Sequence, residues 1–301
     1  MTVKKLTELS GHSNPIYALA LSQKPGILFS GGNDKGVVEW GLKNNAFIKV
    51  MFPVNASIYA IHCPAGYPLL FAGLRSGQVL VFDFIQQKLI KGLNHHVKPV
   101  FDIQSAANKK ELLVASEDGT VSVWSLETLE LLHTITVSQD TVRSIAISPD
   151  QKNIAFGCRD STVRVYDLLD YNPITVLAGH AMAVFTTAYA TDGKLIFSGA
   201  RDAQLKVWDA YSFNLIKNIP AHMFAINHIA VHPSRPLLAT ASMDKSIKIW
   251  DAADFRLLKV ISREKGYPAH ILSVNKLAWD NNRLISTGDD KSIMIWEVDE
   301  G

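Results

Sequence analysis

A spacing of 42 residues governs this chain. Aromatic residues stand at Trp40, Phe82, Trp124, Tyr166, Trp208 and Trp250, each 42 residues after the one before, and Trp296 follows after 46. The sequence around each aromatic repeats as well. A histidine with an apolar anchor four residues further on opens most units: His12 with Ile16, His96 with Val100, His180 with Val184, His222 with Ile226 and His270 with Val274. An aspartate stands six residues before the aromatic at Asp34, Asp118, Asp160, Asp202, Asp244 and Asp290. A period this regular marks one supersecondary unit copied along the chain rather than a string of independent elements.

Between these fixed points the chain reads as short strands. Turn signals such as Pro149-Asp150 and Asp192-Gly193 separate a first apolar run from a second, such as Leu195-Ile196-Phe197. The third strand alternates, with Ile247 and Ile249 against Lys248 and Trp250, and a fourth fills the gap at residues 215–219 or 257–261. Four such strands make one small antiparallel sheet. A sheet of that size cannot bury both faces alone, so successive sheets must stack side by side. Seven units occupy all 301 residues, which overrides the two-domain expectation that length alone would set. An apolar content of 48% supplies a substantial core.

The pattern resembles the WD-repeat (WD40) family over nearly the whole chain. Gly-His is followed by Trp208-Asp209 and Trp250-Asp251, with weaker endings at Trp40-Gly41, Phe82-Asp83, Trp124-Ser125, Tyr166-Asp167 and Trp296-Glu297. The resemblance implies an all-β fold, a seven-bladed β-propeller of four-stranded antiparallel blades forming a single domain over residues 1–301. It also implies a structural hydrogen-bonded tetrad of His, Ser or Thr, Asp and Trp in each blade. Four repeats match it in full: His12, Ser30, Asp34 and Trp40; His180, Ser198, Asp202 and Trp208; His222, Thr240, Asp244 and Trp250; His270, Ser286, Asp290 and Trp296. The third repeat has His96, Asp118 and Trp124 but Val114 in the hydroxyl place. The second and fourth carry Val54 and Ser138 where histidine is expected, and the second has Ser76 for aspartate. Those two blades are expected to hold by packing more than by the tetrad, and to be less stable locally.

The two ends of the chain complement each other. A strand-like stretch at residues 3–9 precedes the first Gly-His, while the last repeat ends at Val298 without room for its fourth strand. Residues 1–9 are therefore expected to supply the outer strand of the last blade and close the ring, which leaves no unpaired edge there. The first ten residues hold no apolar signal-peptide core, and no run approaches a membrane span. A soluble cytoplasmic protein, monomeric by itself and without a membrane partner, is expected. Cys63 and Cys158 fall in different repeats and read as ordinary reduced thiols. One irregularity stands out: the aromatic lies 14 residues before the next histidine place in earlier repeats, but 20 separate Trp250 from His270. The extra residues fall around 263–268, on the face of the histidine and aspartate turns, as a surface insertion or as a rim contact to a partner.

The recurrence of His, Ser and Asp superficially suggests a catalytic triad. Catalysis needs one such constellation, whereas a structural network is needed once per blade, and here it recurs at fixed spacing. The motif histidines belong to different blades, too far apart to share a metal ion. No Gly-rich phosphate loop and no Cys-rich zinc spacing occurs. Neither an enzyme nor a cofactor is expected, and a catalytic site at the channel mouth ranks last among the readings.

The resemblance further implies that each repeat presents two residues at the mouth of the channel. One follows the apolar anchor: Tyr17, Tyr59, Phe101, Arg143, Phe185, Asn227 and Asn275. The other precedes the motif aspartate: Asn33, Arg75, Glu117, Arg159, Arg201, Met243 and Asp289. Four of the chain's nine arginines occupy these 14 positions and no lysine does. Arg75, Arg143, Arg159 and Arg201, interleaved with Tyr17, Tyr59, Phe101 and Phe185, form the candidate binding arc. Arginine and aromatic side chains combine contact area with fixed hydrogen-bond geometry, which is what interfaces favour. A scaffold that binds other proteins or peptides through an acidic or phosphorylated segment is expected. A single-stranded RNA or nucleotide-phosphate binder using the same arc is the alternative, although a net charge of only +2 gives no broad basic footprint for nucleic acid.

Overall fold

A computed structural model describes residues 1–299 of the chain. Its strands gather into seven four-stranded sheets, each pairing only neighbours in an antiparallel meander. The first blade runs Ile16–Leu21, Ile27–Gly32, Gly36–Gly41 and Ala46–Pro53 from the channel outward. The next five blades repeat that order. The seventh has Val274–Asp280, Arg283–Gly288 and Ile293–Asp299, and its outer strand is Thr2–Leu9. Thr2 faces Asp299 and Leu9 faces Ile293 in that closing pair, with a bulge between Lys5 and Thr7. The fold is thus the all-β, seven-bladed propeller, closed by its N-terminal strand.

The core follows from the stacking. Among the described residues, buried apolar side chains form seven clusters, each shared by two adjacent blades. The anchors Ile16, Ile58, Val100, Val142, Val184, Ile226 and Val274 are fully buried. Small residues on the second strand of one blade let the next blade's anchor approach. A Cβ at Gly73 would stand 2.6 Å from Val100 Cγ1, and one at Gly199 would stand 2.7 Å from Ile226 Cγ2. The backbone could not tolerate either without the blades separating.

The hairpin that follows the motif aspartate is equally regular. The residue after the aspartate place has positive φ in every blade: Lys35, Gly77, Gly119, Ser161, Ala203, Lys245 and Lys291. Just before it, the rim residue's N–H donates to the carbonyl preceding the anchor. Asn33 bonds to Pro15, Arg75 to Ser57, Glu117 to Pro99, Arg159 to Thr141, Arg201 to Ala183, Met243 to Ala225 and Asp289 to Ser273, all at 2.8–3.0 Å. Seven copies of one bond hold the rim loops in place. Cys63 and Cys158 are buried free thiols.

Candidate functional site

Each innermost strand carries a β-bulge at the same place. The pairing skips one residue between Ile16 and Ala18, Ile58 and Ala60, Val100 and Asp102, Val142 and Ser144, Val184 and Thr186, Ile226 and His228, and Val274 and Lys276. The extra residues are Tyr17, Tyr59, Phe101, Arg143, Phe185, Asn227 and Asn275. A bulge frees its residue from the ladder and re-aims the side chain, and here it turns all seven toward the mouth of the channel.

From Tyr17 round to Phe185 each touches the next. Tyr17 meets Tyr59 edge-on at 5.4 Å, and Tyr59 stacks on Phe101 at 5.6 Å and 11°. The Arg143 guanidinium lies between two rings, its Cζ 4.2 Å from the centre of Phe101 and 4.6 Å from that of Phe185. Asn227 donates to Ser273 Oγ and to the Val274 carbonyl, both at 2.9 Å. Asn275 completes the circle by donating to the Ile16 carbonyl at 2.9 Å and to Asp289 at 2.7 Å. Burial, then the neighbouring Asp289 and Tyr59, push the Tyr17 phenol up. Burial pulls Arg143 down to about 10, which leaves it charged at neutral pH.

This circle surrounds a cavity of about 680 Å³. Of the expected arc, Tyr17, Tyr59, Phe101, Phe185, Arg75 and Arg143 line it, together with Glu117. Arg159 and Arg201 do not. Both are exposed on the rim, and Arg159 stands 3.7 Å from Asp140. The arc therefore converges through two of its four arginines.

A third cation, which the sequence reading passed over, belongs to the tier below. Two residues after each anchor come Ala18, Ala60, Asp102, Ser144, Thr186, His228 and Lys276. Several of these side chains bond to the neighbouring blade. Asp102 accepts from the Ile145 N–H at 2.8 Å, Thr186 Oγ1 from the Ile229 N–H at 3.1 Å, and His228 Nδ1 from the Leu277 N–H at 3.3 Å. Ser144 and Thr187 share a hydroxyl bond at 3.0 Å. Burial raises Asp102, against the pull of Lys276 and the two backbone N–H groups it accepts. Burial holds His228 well below its ordinary range, with Lys276 adding to the effect. Lys276 ends the series with a donor where Asp102, Thr186 and His228 offer acceptors. Its ammonium makes no hydrogen bond or ion pair among the described residues, and it lines both the mouth and the channel beneath. The signal was present in the sequence as polar residues recurring every 42 positions, from Asp102 through Ser144 and Thr186 to His228, inside otherwise apolar strands.

The His, Ser and Asp groups serve the blades. In the fifth blade Trp208 Nε1 donates to Ser198 Oγ at 2.9 Å, His180 Nε2 lies 2.8 Å from the same oxygen, and its Nδ1 lies 3.0 Å from Asp202. Every proton is used once if indole donates to hydroxyl, hydroxyl to imidazole and imidazole to carboxylate. The first, sixth and seventh blades build the same chain. Burial lowers His180 and His222. Burial also opposes ionisation of Asp118 and Asp244, but hydrogen bonds from histidine and hydroxyl groups outweigh it and hold both carboxyls well below the usual range. The third blade is complete as well, since Ser122 supplies the hydroxyl that Val114 lacks. In the fourth, Ser138 donates to Asp160 at 3.0 Å and Arg164 joins it at 2.7 Å. The second blade has no such network; Phe52 stacks on Phe82 at 4.7 Å instead.

The model of the family described as "WD domain, G-beta repeat" matches residues 3–40, 87–125, 129–167, 171–209, 213–251 and 261–297. The stretch between the first two matches holds most of the second blade, where the motif residues are missing. Among curated proteins, the COMPASS component SWD3 of Saccharomyces cerevisiae is 27% identical over 123 residues, covering 38% of this chain and 39% of that protein. The Retinoblastoma-binding-like protein E of Dictyostelium discoideum is 39% identical over 69 residues, 22% of this chain and 13% of that one. The Retinoblastoma-binding protein 5 homolog of Drosophila melanogaster is 35% identical over 65 residues, again 22% and 13%. The chain covers about two fifths or less of the length of each of these relatives.

Proposed function

The chain belongs to the WD domain, G-beta repeat family, and on that footing we propose that it is a non-catalytic interaction platform whose channel mouth holds an acidic or phosphorylated segment of a partner protein. The observation that carries this reading is the pair Arg143 and Lys276. Both are part-buried cations facing one cavity, and neither has a hydrogen-bond acceptor among the described residues. Their nitrogens still reach the water of the cavity, and a carboxylate or phosphate entering from above would give them a charged acceptor in place of that water. The Arg143 plane, fixed between Phe101 and Phe185, offers a preset fork to such a group. Arg75 adds charge at the rim and Glu117 removes some. Because the rim loops are held by seven identical backbone bonds, binding costs little reorganisation.

The relatives support the coarser part of this reading. One is named as a component of COMPASS and two as retinoblastoma-binding proteins, names that describe association with other proteins. The RNA alternative ranks below it on a physical ground. Phe101 already has Tyr59 and Arg143 against it, and Phe185 has Arg143, so little ring face is left for a base to stack on.

Affinity capture from the source cell's lysate, with and without phosphatase treatment, tests the proposal. Wild type is compared with Arg143→Ala/Lys276→Ala at matched melting temperature. Protein partners held by wild type and lost by the variant support it, and identical partners on both overturn it. Capture of generic RNA with a steep salt dependence would move the assignment to the alternative.

A further inference from the structure

The six-residue lengthening before the seventh blade takes no part in the channel mouth. Its residues Arg263–Lys265 form one turn of 3-10 helix, closed by Gly266 at φ 81°. Arg263 Nε donates to the Ala269 carbonyl at 3.1 Å and braces the turn. The turn stands as one wall of a cleft of about 700 Å³, whose floor and far side come from Met223, Phe224, Met243 and Ile271. Those four side chains are 83%, 60%, 50% and 50% exposed.

The fold does not require apolar groups there. The two residues after the motif histidine place are Ser13-Asn14 in the first blade and Gln139-Asp140 in the fourth, but Met223-Phe224 in the sixth and Ile271-Leu272 in the seventh. The turn keeps its backbone bond in either case, at 3.0 Å for Asn33 to Pro15 and 3.0 Å for Met243 to Ala225. Polar and apolar sequences thus build the same turn; the third and fifth blades expose one apolar residue each there, Val97 and Met182, whereas the sixth and seventh place large apolar residues at both positions. A contiguous exposed patch of this kind marks an interaction site, and methionine suits one because its thioether adapts to different partners.

The margin of the cleft is cationic. Lys245 and Lys265 line it without an ion pair among the described residues, and Arg263 stands beside them. Lys248 also lines the cleft, its ammonium donating to the Ala221 carbonyl. Of the two carboxylates, Asp244 is already engaged by His222, Ser246 and the Met223 N–H, so Glu264 alone opposes the four cations. We propose that this cleft is a second docking site, which takes a partner-protein segment carrying large apolar side chains flanked by aspartate or glutamate. The apolar groups seat on Met223, Phe224 and Ile271, and the acidic flanks lie against Lys245 and Lys265. The assignment does not rest on the reading of the channel mouth.

A phage-displayed library of random peptides, roughly a dozen residues long, tests it when panned on the full chain. Counter-selection uses Met223→Ser/Phe224→Asn, which installs the first blade's own turn residues, with its melting temperature checked against wild type. The expected families carry two or more large apolar residues beside acidic ones. A synthetic peptide from such a family binds the variant about tenfold or more weakly and binds Arg143→Ala as it binds wild type. Lys245→Glu/Lys265→Glu, exposed on the surface, gives an independent loss should the first variant fold poorly. Families that ignore residues 223 and 224, or that are basic or lack apolar residues, overturn the proposal. So does a peptide whose binding is lost in Arg143→Ala and kept in Met223→Ser/Phe224→Asn. A wild-type dimer in sedimentation velocity that disappears in the same variant would assign the cleft to a second copy of this chain instead.

Discussion

Ser122 lies directly across the β-ladder from Val114, and its hydroxyl does in the third blade what Ser30, across from Val38, does in the first. Serine and valine have changed places between the two strands. His96 Nε2 lies 2.8 Å from Ser122 Oγ, and Trp124 Nε1 donates to the same oxygen at 2.8 Å. Cross-strand partners share one face of a sheet, so a hydroxyl starting from either strand reaches the same point between imidazole and indole. Ser122→Val is expected to lower stability by about 1–3 kcal/mol, because it leaves two buried ring nitrogens unpaired. Adding Val114→Ser should recover most of that. Urea melts of the single and double variants check it, and a double variant no better than the single would show that position matters and not merely presence.

Removal of residues 1–9 should destabilise the ring. The strand Thr2–Leu9 pairs along its length with Ile293–Asp299, and Leu9 is buried against Ile16 and Trp40. Its loss exposes both an apolar strip and an unpaired sheet edge. At about 2 °C per kcal/mol for a chain of this size, the melting temperature should fall by roughly 10 °C. An unchanged value would mean the closing strand adds nothing to stability.

At the channel mouth, Arg143→Lys should weaken binding of an anionic ligand nearly as much as Arg143→Ala. Lysine keeps the charge but loses the flat fork that Phe101 and Phe185 hold in place. Arg159→Ala/Arg201→Ala, on the outer rim, should change affinity by less than about threefold, in line with exposed charges. Isothermal titration of a captured partner segment distinguishes the two, and equal losses would show that the rim arginines also reach the ligand.

Stability should fall as pH drops from about 7 to about 5. Burial lowers His62, His180, His222 and His228 from their ordinary value of 6.5, His62 to about 4. As pH falls through 6.5 the unfolded chain takes up protons on these residues while the folded ring does not. The stability is thus fully present above that value and is lost below it, until the folded groups themselves titrate. Tetrad carboxylates act in a lower window. Burial opposes ionisation of Asp290, but bonds with His270 and Ser292 outweigh it and bring the carboxyl to about 2. Its contribution is complete above about pH 4 and disappears as pH falls toward 2. Melting temperature against pH should show both slopes, and His62→Gln should flatten only the upper one.

The blades were legible because the aromatic, the histidine and the aspartate each serve once per unit, which makes the period visible. The mouth positions were legible through the family resemblance, and the bulge after every anchor is the structural reason for them. The convergence of the arc was not. Arg159 and Arg201 sit on long exposed side chains whose direction depends on local partners such as Asp140, and spacing along a chain does not encode that. Lys276 was hidden by composition: the second position after an anchor reads as strand interior, and its polar character shows only when Asp102, Ser144, Thr186 and His228 are set beside it. A motif followed along one strand likewise cannot register a hydroxyl supplied from the strand opposite, as Ser122 supplies it for Val114.

The closing pair also sets an order in time. The ribosome makes Thr2–Leu9 well before its partner Ile293–Asp299. At about 5–20 residues per second, roughly 15–60 s of synthesis separate the two. Throughout that interval the first strand has no mate, and the blades forming behind it offer fresh edges. Lys4 and Lys5 give it a charged surface that resists chance pairing, and Lys4 meets its opposite charge only when Glu297 arrives across the ladder. A ribosome stalled anywhere before residue 293 therefore carries an open ring, however well its earlier blades have folded.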